Sequence, residues 1–118
     1  MDDKQIEQEI QAKGLTAPRV TPARIEEVIA QEHYFTAADG CACVYQGGPE
    51  FQACDKSLDL LTFCVLVLRN GFTVTGESAC VSPENFDAEI GRKIARKNAV
   101  DKVWALEGYL LKQRLSEQ

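Results

Sequence analysis

The densest group of chemically capable residues in this 118-residue chain is cationic: Arg92, Lys93, Arg96 and Lys97, followed by Asn98, Lys102 and Trp104. Arginine can grip a phosphate with two parallel hydrogen bonds, and an aromatic ring can stack on a base. With an aromatic such as Tyr34 and the carboxylate Glu77, such a set would suit an anion or a nucleotide. The simpler account is a solvated helix face. Acids precede bases here, and Glu89 and Lys93 stand at i, i+4, where they pair within a helix. Glu77, alone among threonines and a valine, reads first as an exposed edge carboxylate.

A second group is sulfur-based. Cys41 and Cys43, with Cys54 and His33, could hold zinc in principle. Their spacing lacks the repeated C-x₂₋₄-C pairs of structural zinc sites, so the default is loop thiols. Cys80 stands between a strand and a helix start, where a thiol pKa can fall. A nucleophile also needs a base, and the single histidine, His33, is far along the chain. Cys80 is expected to be a small buried hydrophobe. Phosphate-loop, dinucleotide and HExxH patterns are absent from the sequence. No catalytic residue, metal site or cofactor is therefore assigned.

The elements that would position these residues are uneven in clarity. Residues 2–13 read as a helix capped by Asp2 or Asp3, carrying a narrow Ile6–Ile10 stripe and ended by Gly14. Residues 1–20 could form an arm. Thr21-Pro22 is a helix start, and the helix is expected to run to about His33. Residues 35–58 read as a long loop with at most one short strand, broken by Gly40, Gly47, Gly48 and Pro49. From residue 60 the pattern firms into a hairpin–helix core. LLTFCVLVL and TVTGESAC flank Asn70-Gly71, which signals a hairpin with a two-residue type I′ turn. That register sets Cys64 opposite Glu77 and puts Cys64 and Cys80 on opposite faces. The first hairpin strand is apolar on both sides, so both faces need cover. Ser82-Pro83-Glu84 is expected to open the last helix, which Gly108 could interrupt. Phe86, Ile90, Ile94, Trp104 and Leu111 share one face of it; Ala95, Ala99, Val103, Leu106 and Leu110 share another. One face can cover the hairpin. The other points to a homo-oligomer.

These elements make a single α+β domain: N-terminal helices, an antiparallel hairpin or small sheet, and a long C-terminal helix. Net charge is −5, with ten acids against five bases in residues 1–58 and eight of each afterwards. That is no footprint for non-specific nucleic-acid binding. There is no apolar run of membrane-spanning length. The polar N-terminus does not read as a signal peptide, which places the chain in the cytosol and its five cysteines as free thiols.

The segments GLTAPRVTPARIEEVIAQEHYFTAADG and LTFCVLVLRNGFTVTGESACVSPENFDAEIGRKIARKNAVDKVWALEGYLL closely resemble a family of small bacteriophage and prophage proteins. It takes its name from gene product 49 of phage N4 and gene product 66 of phage Sf6. The resemblance runs from Gly14 to Leu111, except for about Cys41 to Ser57. It implies a phage-encoded protein in the host bacterial cytoplasm, with no catalytic residues to carry over. Of the matching positions, Glu77, Asn98 and Trp104 are those that fold alone explains least. In that context the expected function is non-enzymatic binding by a homo-oligomer to a host protein during infection. The alternative is a sponge for a nucleotide second messenger of host defence, built between subunits around Arg92–Lys102.

Overall fold

The sheet is built on one central strand, and the computed structural model describes residues 2–45 and 54–118 around it. Strand β2 (Leu61–Leu68) lies between β1 (Ile29–Thr36) and β3 (Thr73–Ala79), antiparallel to both. Helix α4 (Ala88–Ser116) crosses one face of this sheet. Before the sheet come α1 (Asp3–Ala12) and α2 (Pro22–Val28); α3 (Ala37–Tyr45) follows β1 directly. The α+β architecture expected from the sequence is the one observed.

Local signals explain most helix ends. Asp2 and Gln5 form a reciprocal capping box on α1. Gly14 then turns the chain at φ +67°. Thr21 accepts from the Arg24 N–H at 3.1 Å to start α2. That helix stops at Val28 instead of reaching His33, and Ile29 onward becomes β1. The edge of β2 offers a full row of hydrogen-bonding groups, and pairing with it overrides the helix-forming composition of this stretch. β1 contains one bulge, between Ile29 and Gln31. The extra residue lets Ile29 join the core while Gln31, His33 and Phe35 turn outward.

The expected long loop also differs. Thr36 and Asp39 cap each other's N–H groups at 2.9 and 3.1 Å and open α3, and a short 3₁₀ turn spans Lys56–Leu60. Gly47, Gly48 and Pro49 lie outside the described residues. Cys41 and Cys54 are joined as a disulfide, with Cα atoms 6.2 Å apart, so they are not the expected free thiols. The chain's return past Asp55 brings the two together, which spacing alone did not reveal.

The hairpin turn has three residues rather than two. Leu68 N–H donates to Phe72 O, Gly71 N–H donates to Leu68 O, and only Gly71 has positive φ, at +89°. A type I′ turn needs two such residues, whereas a type I turn with a glycine bulge needs one. The register moves by one: Cys64 faces Gly76, and Leu61 faces Ala79. Cys64 and Cys80 thus point to the same face, four residues apart along the ribbon, or about 13 Å. Ser82-Pro83 opens a 3₁₀ turn (Pro83–Asn85), and α4 starts later, where Asp87 accepts from Ile90 N–H. α4 runs unbroken through Gly108.

The core lies between sheet and helix. Cys64, Leu66, Leu68 and Val74 from the strands meet Ala95, Ala99, Val100 and Val103 from α4, with Ile25 and Val28 closing one end. Each fully buried side chain such as Leu66 stabilises the fold by about 1.5–3 kcal/mol. Gly76 lets the helix approach closely. A Cβ there would collide with Ala95 O and Ala99 N and lie 2.9 Å from Ala99 Cα.

Candidate functional site

Within the cationic cluster on α4, Arg96 ties the helix to other elements, while Lys93 and Lys97 pair within the exposed helix. Arg96 reaches across to α2 and β1, donating to Glu26 at 2.8 Å and pairing with Glu32. Burial works against its charge, but the two carboxylates outweigh it and raise its pKa further above the ordinary arginine value. Lys97 pairs with Asp101 at 3.5 Å on the exposed side of α4. Asn98 donates to Glu77 O at 2.8 Å, and Lys102 Nζ donates to Thr75 O at 2.6 Å. These two side chains fasten the helix to the outer edge of β3. Glu77 itself is exposed, on the sheet face away from α4.

The expected site residues therefore do not converge. Two of them do meet: Arg92 and Tyr34 line one cleft of about 110 Å³, with Phe35, Thr62, Phe86 and Asp39. Desolvation pushes the Tyr34 phenol up to about 12, so it is un-ionised at neutral pH. Buried Cys64 is likewise raised, chiefly by desolvation. Neither is poised as a base or nucleophile at neutral pH. Thr62 Oγ1, buried and without a protein partner, lies at the helix–sheet contact beside Gly91. Trp104 sits elsewhere, in a groove of about 320 Å³ with Ile6, Ile10 and Val20. The described residues hold no cluster of three or more potential metal ligands.

Two apolar surfaces stand out instead. The sheet face away from α4 carries Leu61, Phe63, Val65 and Val67 in a row along β2, each half-buried. Phe35 extends this row from β1, its ring 5.7 Å from that of Phe63. α4 packs on the other face of the sheet, and Phe35 on this one is 41% exposed. The second surface is the far end of α4, where Leu106, Tyr109 and Leu110 are exposed. Both were legible as apolar patterns, but which side of each would stay bare was not. α4 covers the hairpin with Ala95, Ala99 and Val103, while Ile90 and Ile94 remain exposed.

A three-stranded antiparallel sheet under one long helix, with its charged cluster tied internally, defines a small α+β protein with apolar surfaces to offer. Residues 20–115 match the Phage protein (N4 Gp49/phage Sf6 gene 66) family, and the chain belongs to it. The family has no known enzymatic function. The chain matches no curated protein and no solved structure. No helix is long and apolar enough to cross a membrane, among the described residues.

Proposed function

We propose that this phage-family protein acts by binding rather than turnover, as a homo-oligomer that engages a host protein in the bacterial cytoplasm during infection. The observation that carries the reading is the half-exposed apolar row Phe35, Phe63, Val65 and Val67 on the outer sheet face. Central-strand residues with apolar side chains on both faces call for cover on both. The ties of Arg96, Asn98 and Lys102 to groups of their own chain support the same reading, because they take three residues out of the expected ligand set.

The test is a photo-crosslinking amino acid in place of Phe35, followed by mass spectrometry of crosslinked species from infected cells. The expected result is one recurrent host protein, absent when the label replaces Ile90 on the opposite side of the molecule. Self-crosslinks alone, or none, would sink the host-protein reading.

Sequestration of a nucleotide second messenger is the second reading, favoured by the meeting of Arg92 and Tyr34 in one cleft. At about 110 Å³ the cleft is smaller than the roughly 300 Å³ at which small-molecule pockets begin. A nucleotide would need a second subunit to complete it. Native mass spectrometry of protein from infected cells reads this directly: a retained mass lost on Arg92→Ala supports the sponge.

A further inference from the structure

We propose that the Cys41–Cys54 bond is a reversible redox switch, which fixes α3 when closed and releases it when cytosolic thiols open it. From the proposed function the inference takes only the cytosolic placement, and it rests on that. The thiol pool of the cytosol keeps cysteines reduced, and the disulfides found there are usually transient ones that serve catalysis or redox sensing. A bond in that compartment calls for a role in which it both opens and closes. Its position in the fold supplies one.

The bond ties together two segments that the core does not hold. Every core residue, and every hydrophobe packed against the core, lies outside residues 36–60. Residues 37–44 of α3 include no buried side chain, and neither does the 3₁₀ turn Lys56–Leu60. α3 has nine residues, and isolated helices below about 12–15 residues are marginal in water. Gly40 in its interior weakens it further. The Thr36–Asp39 cap holds its start. Its middle is tied by the Cys41–Cys54 bond to the chain just before the 3₁₀ turn. Opening that bond removes the covalent anchor of α3 and leaves the packing of sheet and α4 as it was.

Both cysteines are partly exposed, so a small thiol such as glutathione can reach them. Its thiolate attacks one sulfur of the pair. The Cys41–Cys54 S–S bond breaks, a mixed disulfide forms, and the departing cysteine sulfur takes up a proton. A second glutathione thiolate attacks the mixed disulfide and frees the other cysteine, which is protonated in turn. Two electrons have then passed to the pair, and the two glutathiones leave joined as their disulfide. Glutathione disulfide closes the bond by the reverse route, with release of two glutathione thiols. Cys43 is a free, exposed thiol two residues beyond Cys41. It stands about 200° around the helix axis from Cys41, so it does not take the place of Cys41 opposite Cys54 while α3 is helical.

The test uses the purified full chain in glutathione buffers of graded thiol-to-disulfide ratio, quenched with an alkylating agent and mapped by peptide mass spectrometry. Cys41 and Cys54 are expected to pass together from bonded to alkylated across the ratios found in cytosol, with Cys43 alkylated throughout. Hydrogen-exchange mass spectrometry then compares the two end states. Amides of residues 37–45 should exchange about tenfold faster or more in the reduced form, while those of β2 and α4 stay as protected as before. Cys54→Ser should exchange like the reduced form in either buffer. A pair that stays reduced in the most oxidising buffer, or bonded in the most reducing one, would overturn the inference. So would equal exchange in α3 in both states, or a loss of protection that spreads to β2. None of these readouts depends on whether the sheet face captures a host protein.

Discussion

Glu7 anchors α1 through Arg19, whose guanidinium donates to its two oxygens at 2.5 and 2.7 Å. These bonds, with a further one from Gln11, bring the carboxyl down to about 2 from the ordinary 4.5. Folding thus favours the ionised form. The stabilisation is complete above about pH 4.5 and disappears as pH falls toward 2. α1 lines the groove against Trp104, the single tryptophan, so its loosening has an optical signature. Trp104 emission should shift to the red between pH 4.5 and 2 at constant α4 helicity, and Glu7→Gln should remove that step. An emission that stays constant through this window in the wild type would refute the link. The charged residues of α4 teach the same lesson from the other side. Their composition on the sequence suits a ligand, yet Arg96, Asn98 and Lys102 each answer a group of their own chain. Spacing could not show that, because Glu26, Glu32, Thr75 and Glu77 are distant in sequence and meet α4 only once the sheet has formed.

At the scale of elements, the closest contact is between β3 and α4 at Gly76. A methyl there meets backbone atoms of Ala95 and Ala99, which cannot rotate away as a side chain would. Gly76→Ala should therefore cost about 3 kcal/mol, the upper end of overpacking, by urea denaturation. Gly108→Ala, with open space around its Cβ, should stabilise α4 by up to about 1 kcal/mol. If Gly76→Ala proved as harmless, the intimate packing of helix on sheet would be wrong. The β2–β3 hairpin was legible because local and long-range signals agree there. Asn70-Gly71 supplies a turn, and LTFCVLVL has no helical period. β1 was not legible, because Ala30, Gln31 and Glu32 are helix formers and the strand-favouring residues Ile29 and Tyr34–Thr36 are split between its two ends. α3 left one usable sign, the Thr36-x-x-Asp39 capping pattern. The site was legible only as chemistry in kind: Tyr34 and Arg92 do share a cleft, but their neighbours Phe86 and Asp39 come from separate elements.

The whole molecule measures 61 × 32 × 18 Å, with α4 as its long axis. Stability and length are consequently separable. All fully buried residues of α4 precede Trp104, and Glu107 contributes one tie to Arg24, at 3.4 Å. A chain ending at Glu107 should keep its sheet and lose no more than about 1 kcal/mol of unfolding free energy per protomer, apart from any coupling to association. Thermal melts at low and high protein concentration distinguish the two contributions. A truncated chain that fails to fold at any concentration would place the end of α4 within the core after all.

The rims of the sheet bear on how such a molecule can multiply. An open strand edge is a template on which further strands add without limit, giving fibres. Here β3 has two of its outward carbonyls already taken, by Asn98 and Lys102, and the ammonium group stands at that rim. β1, at the other rim, is bent by its bulge. Growth by strand addition is thus discouraged at both ends, while the faces stay available. A chain with guarded rims and sticky faces is suited to small closed assemblies and poorly suited to endless ones.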